Sequence, residues 1–151
     1  MLKIVVEKWW KNKNQLENIF RTKVGWNSCT YLDLVKEIVN IILNDENDKW
    51  DIEHITEIDN GSYQGTLLYL IPENTYQPNE SEYLMTYVGY GSCSGCDTLL
   101  SAQNWGDDLL DEEQIKAFMW LSLHILENMI KPYNSGWRND EDWQQVDNWK
   151  F

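Results

Sequence analysis

The chain has 151 residues, the length of one ordinary domain, which can bury about 70% of its unfolded surface with no disulfide or metal as a prop. Apolar residues at 42%, charged residues at 25%, nine Trp and eight Tyr describe a folded globular domain and exclude disorder throughout. With 12 basic and 25 acidic residues the net charge is -13, which disfavours direct binding to nucleic acid or to an anionic membrane and favours a basic partner or a cation.

The longest strongly apolar run, Ala117 to Leu126, is about half of the roughly 20 residues needed to cross a bilayer, so no transmembrane helix is expected. The start, Met1 to Trp10, has too short an apolar stretch for a signal-peptide core and no small-residue cleavage site, which places the expected compartment in the cytoplasm. Three cysteines, Cys29, Cys93 and Cys96, do not make a secreted disulfide framework and fit a reducing compartment. Charge is unevenly spread: residues 1–23 carry +4 and the remaining 128 carry -17. Such asymmetry fits a basic arm that folds back on its own acidic body, or on another subunit of a homo-oligomer, or else two faces that meet different partners.

In chain order, Leu2, Val5, Val6, Trp9, Trp10, Leu16, Ile19 and Phe20 give helical spacing over residues 2–22, with a short strand from Leu2 to Val6 as the rival. After the Gly25-Trp26-Asn27-Ser28 break, Thr30 and Asp33 resemble a capping box, and Leu34, Val35, Ile38, Ile41 and Ile42 predict a helix over 31–43. Alternation from Ile52 to Asp59 predicts a strand with one largely acidic face, and Asn60-Gly61 predicts a tight hairpin. Tyr63 to Ile71 and Tyr83 to Tyr90 read as central strands, joined by a long connection containing Pro72 and Pro78. A short helix is expected from about Thr98 to Gln103, and Asp111-Glu112-Glu113 opens the strongest helix, Gln114 to Ile130, stopped by Lys131-Pro132.

The expected fold is therefore a single α+β domain over residues 1–132, an antiparallel three-stranded meander packed against three or four helices. Residues 133–151 form an acidic, Trp-rich tail in which Trp137, Trp143 and Trp149 recur every six residues. Six residues turn a helix by about 600°, so the three indoles share a side only in an extended chain. The tail either staples itself over the core or offers Asn139-Asp140-Glu141-Asp142-Trp143 to a basic partner.

Cys93-Ser94-Gly95-Cys96 is the most specific chemical feature. Two cysteines at this spacing can chelate zinc from one turn, with Cys29 as a third ligand and His54 or His124 as a fourth. The same pair between a strand and a helix also fits a dithiol redox motif, although Asp97 sets a negative charge directly after it. Each histidine reads as a packing residue, His54 on the apolar face of a strand and His124 in a core helix. No nucleophile elbow, P-loop or dinucleotide-binding glycine pattern occurs, so no catalytic residue is assigned. Asp107, Asp108, Asp111, Glu112 and Glu113 crowd seven positions without the order of a calcium loop.

Three segments, Ile58-Asp59-Asn60-Gly61-Ser62-Tyr63-Gln64-Gly65-Thr66, Ile71-Pro72-Glu73-Asn74-Thr75-Tyr76-Gln77-Pro78 and Tyr90-Gly91-Ser92-Cys93-Ser94-Gly95-Cys96-Asp97-Thr98-Leu99, resemble a family of small uncharacterised proteins encoded by bacteriophages and prophages. The resemblance covers less than a third of the chain. It implies a viral accessory product in a bacterial cytoplasm and carries over no activity, fold or catalytic residue.

The leading expectation is a non-enzymatic protein that binds and inhibits a basic, nucleic-acid-binding site of a bacterial host or defence protein. Glu53, Glu57, Asp59, Asp107, Asp108, Asp111, Glu112 and Glu113 would stand in for phosphates, and Trp143 would serve as an apolar anchor. No cofactor is required by this reading. The alternatives are a zinc or dithiol protein centred on Cys93 and Cys96, and a binder of a nucleotide signal that draws a basic pocket from Lys8, Lys11 and Lys13.

Overall fold

The computed structural model describes residues 2–93 and 95–130 of the chain. Helix α1 (Leu2–Thr22) buries Val5, Trp9, Asn12, Leu16 and Phe20, one side chain per turn along a single stripe. Each large apolar member of that stripe contributes about 1.5–3 kcal/mol on burial. Helix α2 (Tyr31–Ile38) starts on the expected capping box of Thr30 and Asp33, then widens into a π-helical turn over Val39–Leu43. The carbonyls left open at that end are met by α1: Asn12 Nδ2 donates to Ile42 O at 3.4 Å and Lys8 Nζ to Leu43 O at 3.1 Å. Those contacts explain why a polar residue interrupts the apolar stripe of α1.

The basic arm folds back on its own body. Lys8 and Lys11 both reach Asp45, at 2.5 and 3.1 Å, and Lys11 also reaches Glu46 at 2.7 Å. Arg21 pairs with Glu112, and Lys23 with Glu37 at 3.5 Å. Burial raises the cost of charging Asp45, but hydrogen bonds from Lys8, Asn12 and Lys11 outweigh it and hold the carboxyl well below its ordinary range. Lys13 lies over the ring of Trp10.

Strands β1 (Thr56–Asp59), β2 (Gly65–Pro72) and β3 (Tyr83–Tyr90) form the expected antiparallel meander in the order β1-β2-β3. The register sets Glu57 opposite Tyr69, Tyr69 opposite Thr86, and Ile71 opposite Leu84. Helices cover the face that carries Tyr69, Ile71, Leu84, Thr86 and Val88, all buried, and the Thr86 hydroxyl donates to Ile125 O at 2.7 Å. Helix α3 (Thr98–Ala102) is short, and α4 (Glu112–Glu127) is the central helix, opened by a capping box of Asp111 and Gln114. Phe20, Trp26 and Phe118 meet edge to face where α1 and α4 cross, with centroids 5.0 to 6.2 Å apart. This is a single α+β domain with a three-stranded antiparallel sheet and four α-helices among the described residues.

Several boundaries differ from the sequence reading for local reasons. Ile52–His54 is a 3-10 turn capped by the Asp51 carboxylate, so β1 begins only at Thr56. His54 is exposed and bonded to Asp51 at 2.6 Å instead of packing on an apolar face. His124 likewise faces solvent, stacked on Trp120 and 3.3 Å from Glu127. The turn after β1 is no two-residue hairpin: Asn60 Oδ1 accepts the Thr66 N–H at 2.7 Å and Asp59 Oδ1 accepts the Gly61 N–H at 2.9 Å, closing a five-residue loop. Gly61 and Gly65 touch across it, where a Cβ on Gly65 would come within 2.8 Å of the Gly61 Cα. At the other end of the fold α4 stops at Glu127, and Ile130 pairs with Met85 on the outer edge of β3. The tail with Trp137, Trp143 and Trp149 lies outside the described residues.

Candidate acidic interaction surface

The acidic residues singled out in the sequence divide into three groups. Glu57 and Asp59 lie on the helix-covered face of the sheet, at its open edge, and each is held by a tyrosine. The Tyr69 hydroxyl donates to Glu57 at 2.8 Å and the Tyr90 hydroxyl to Asp59 at 2.5 Å. Burial pushes the Tyr69 phenol above its ordinary range and Glu57 pushes it further. The Tyr90 bond, with the Gly61 amide behind it, holds Asp59 below the usual carboxylate range. Their neighbour Ile58 therefore points to the uncovered face, beside Leu68 and Tyr87, the reverse of apolar-in patterning. Glu53 is exposed in the turn before β1.

The second group serves the helix start. Asp111 caps α4, Glu112 is committed to Arg21, whose bond lowers its pKa, and Glu113 sits 3.9 Å from Lys116. These carboxylates also favour the positive end of the α4 dipole.

Asp107 and Asp108 form the third group. Both are exposed, and no cation pairs with either among the described residues. They line a cleft of about 530 Å³ together with Leu100, Asn104 and Trp105 on one side and Cys29 on the other. Trp105 is completely exposed, at 101% of the reference surface. The loop that carries it is nevertheless held at both feet. Asn27 Oδ1 accepts the Asn104 N–H at 2.9 Å, and Asn27 Nδ2 donates to Asp107 O at 2.8 Å. Gln103 Nε2 donates to Trp26 O at 2.8 Å and Cys29 O at 3.0 Å. Gly106 adopts φ +92°, the left-handed turn geometry that favours glycine, between the Trp and the two carboxylates. The loop thus sets an exposed indole beside two carboxylates that no cation pairs among the described residues.

The sequence points to Asp107 and Asp108 of this loop but not to Trp105 or to the Asn27 clamp. The loop's signal was present as a Trp among Asn, Gly and Asp between two helices, a context in which an indole has little core to enter.

The cysteines do not converge. Cys29 is half-buried, and burial pushes its thiol up to about 12, with Asp33 adding and Gln103 opposing. Cys93 and Cys96 are exposed in one turn. Among the described residues no three His, Cys, Asp or Glu side chains come together in a metal-binding group, so Cys29, His54 and His124 do not complete a site with the pair. Lys8, Lys11 and Lys13 do not make a free basic pocket either, since the first two are spent on Asp45 and Glu46 and the third on Trp10.

Fold and site together define an α+β domain that presents an acidic, aromatic cleft. No protein-family model matches the chain, and no curated protein or solved structure is similar to it at a significant level. Among the described residues no helix is long and apolar enough to cross a membrane.

Proposed function

We propose that this chain is a non-enzymatic interaction protein that occupies a basic, nucleic-acid-binding site on a bacterial protein, as an accessory product of bacteriophage type. The observation that carries the reading is Trp105, wholly exposed on a loop pinned at Asn104 and Asp107 by Asn27, with Asp107 and Asp108 beside it and paired with no cation among the described residues. An arginine of the partner would stack on the indole and bond the carboxylates, replacing the phosphate contacts it makes with nucleic acid. Anchoring the loop beforehand reduces the ordering cost of association. The net charge of -13 steers a basic partner over longer range. The internal pairing of Lys8, Lys11, Arg21 and Lys23 supports the same assignment, because it offsets much of the positive charge of residues 1–23 with carboxylates of the same chain.

The test is affinity capture from a bacterial lysate with the wild type and a Trp105→Ala, Asp107→Asn, Asp108→Asn variant side by side. The reading expects a partner that the wild type retains, the variant loses and added duplex DNA displaces. Retention by both proteins, or indifference to DNA, contradicts it.

A further inference from the structure

The turn at Cys93 and Cys96 is unused by the interaction surface, and its geometry is specific. The Cys96 N–H donates to the Cys93 carbonyl at 3.1 Å, closing a four-residue turn. Such a turn brings its end Cα atoms within about 7 Å, and disulfides span roughly 4.4–6.8 Å. The Cys96 thiol donates to the Cys93 carbonyl at 3.2 Å, and the Cys93 N–H points at Cys96 Sγ from 3.1 Å, where it stabilises negative charge once the proton has left. Close approach is built in at Gly91, where a Cβ would meet Cys96 O at 2.5 Å and Cys96 Sγ at 2.6 Å.

The carboxylate that follows the pair is committed elsewhere. Asp97 is buried and accepts from the Tyr31 hydroxyl at 2.8 Å, the Gly91 N–H at 3.0 Å and the Leu100 N–H at 3.1 Å. Both thiols are exposed, and no third metal ligand stands near them among the described residues. Dithiol–disulfide exchange is the chemistry this arrangement suits.

We propose that Cys93 and Cys96 form a redox-active dithiol that low-molecular-weight disulfides oxidise, with Cys96 as the attacking sulfur and Cys93 as the resolving one. In the first step the Cys96 thiolate attacks one sulfur of the small disulfide, the S–S bond breaks, and one thiolate leaves. In the second, the Cys93 sulfur attacks the Cys96 sulfur of the mixed disulfide. Its proton passes to the second departing thiolate, and a Cys93–Cys96 disulfide remains. The protein loses two electrons and two protons, and the small disulfide becomes two thiols.

The test uses the full-length chain, reduced and then incubated with oxidised glutathione, quenched with acid and read by intact and peptide mass spectrometry. The expected wild-type product is two hydrogens lighter, with the link mapped to Cys93 and Cys96 and with Cys29 free. Cys93→Ser is expected to hold one glutathionyl group on Cys96, formed about tenfold faster than any adduct on Cys93 in Cys96→Ser. A wild type that stays reduced overturns the proposal, as does one that stops as a stable mixed disulfide or holds a metal on the pair that blocks oxidation. Equal rates in the two variants overturn the assignment of roles.

Discussion

Gln114 Nε2 donates to Asn27 Oδ1 at 2.7 Å, so the residue that completes the capping box of α4 also holds the residue that clamps the Trp105 loop. Gln114 is buried, and its amide also donates to Ala102 O at 2.9 Å at the end of α3. Helix start, short helix and exposed loop thus share one side-chain amide chain. Asn27→Ala removes three hydrogen bonds from it and is expected to lower stability by about 1–3 kcal/mol, measured as a fall in the denaturant midpoint. The variant is also expected to weaken binding of an arginine-rich peptide several-fold while Trp105 itself is unchanged. Full peptide affinity would show that the loop needs no clamp.

Tyr31 joins α2 to the segment after the cysteine turn, donating to Asp97 and accepting from the Leu99 N–H at 3.1 Å. Burial, with the Asp97 bond in the same direction, raises the Tyr31 phenol above its ordinary range. Tyr31→Phe leaves a buried carboxylate short of one donor and an amide short of its acceptor. The expected cost is about 1–3 kcal/mol, read by thermal or denaturant unfolding. A neutral substitution would mean that Asp97 is satisfied without the hydroxyl.

Asp45 gives a pH signature. Its carboxyl is held below the unfolded value near 4, so it contributes stability that is fully present above that value and is lost as pH falls toward the folded one. Asp45→Asn is expected to cost about 1.5–3 kcal/mol at pH 7, the scale of a hydrogen bond to a charged group. The gap between wild type and variant should narrow progressively below about pH 4. Denaturant melts across pH 2–7 check this, and a gap that stays constant would place the contribution elsewhere.

At Gly91 a methyl group would press on backbone as well as on sulfur. Gly91→Ala is expected to displace the turn, lower stability by about 1–3 kcal/mol and slow oxidation of the cysteine pair. Differential scanning calorimetry and the glutathione assay read the two effects independently. An unaffected oxidation rate would show that the close approach of Cys96 to Gly91 has no chemical role.

The parts of the fold legible in the sequence are those set by neighbours along the chain. Thr30 with Asp33 starts α2, and β3 has the expected bounds because apolar residues fill both its faces. What the sequence left hidden depends on distant partners. Arg21 and Glu112 are 91 residues apart, and only the crossing of α1 and α4 removes Glu112 from the free acidic surface. The same holds for Glu57 and Asp59, whose tyrosines come from the neighbouring strand and the far edge of the sheet. Asn60-Gly61 predicts a tight hairpin, but the Asn60 side chain bonds the Thr66 amide across a five-residue loop while Asp59 bonds the Gly61 amide within it. The cleft stayed hidden because the residue that holds its loop, Asn27, is 77 and 80 residues away from Asn104 and Asp107.

The central claim is that the Trp105 loop receives basic side chains, and a titration of isotopically labelled protein with an arginine-rich peptide tests it most directly. The account predicts chemical-shift changes concentrated at the Trp105 indole N–H and the amides of residues 100–108, about tenfold weaker binding for Asp107→Asn, Asp108→Asn, and further weakening with added salt. Shifts spread evenly over the acidic surface with Trp105 unmoved, or an affinity that the double variant leaves unchanged, would contradict it.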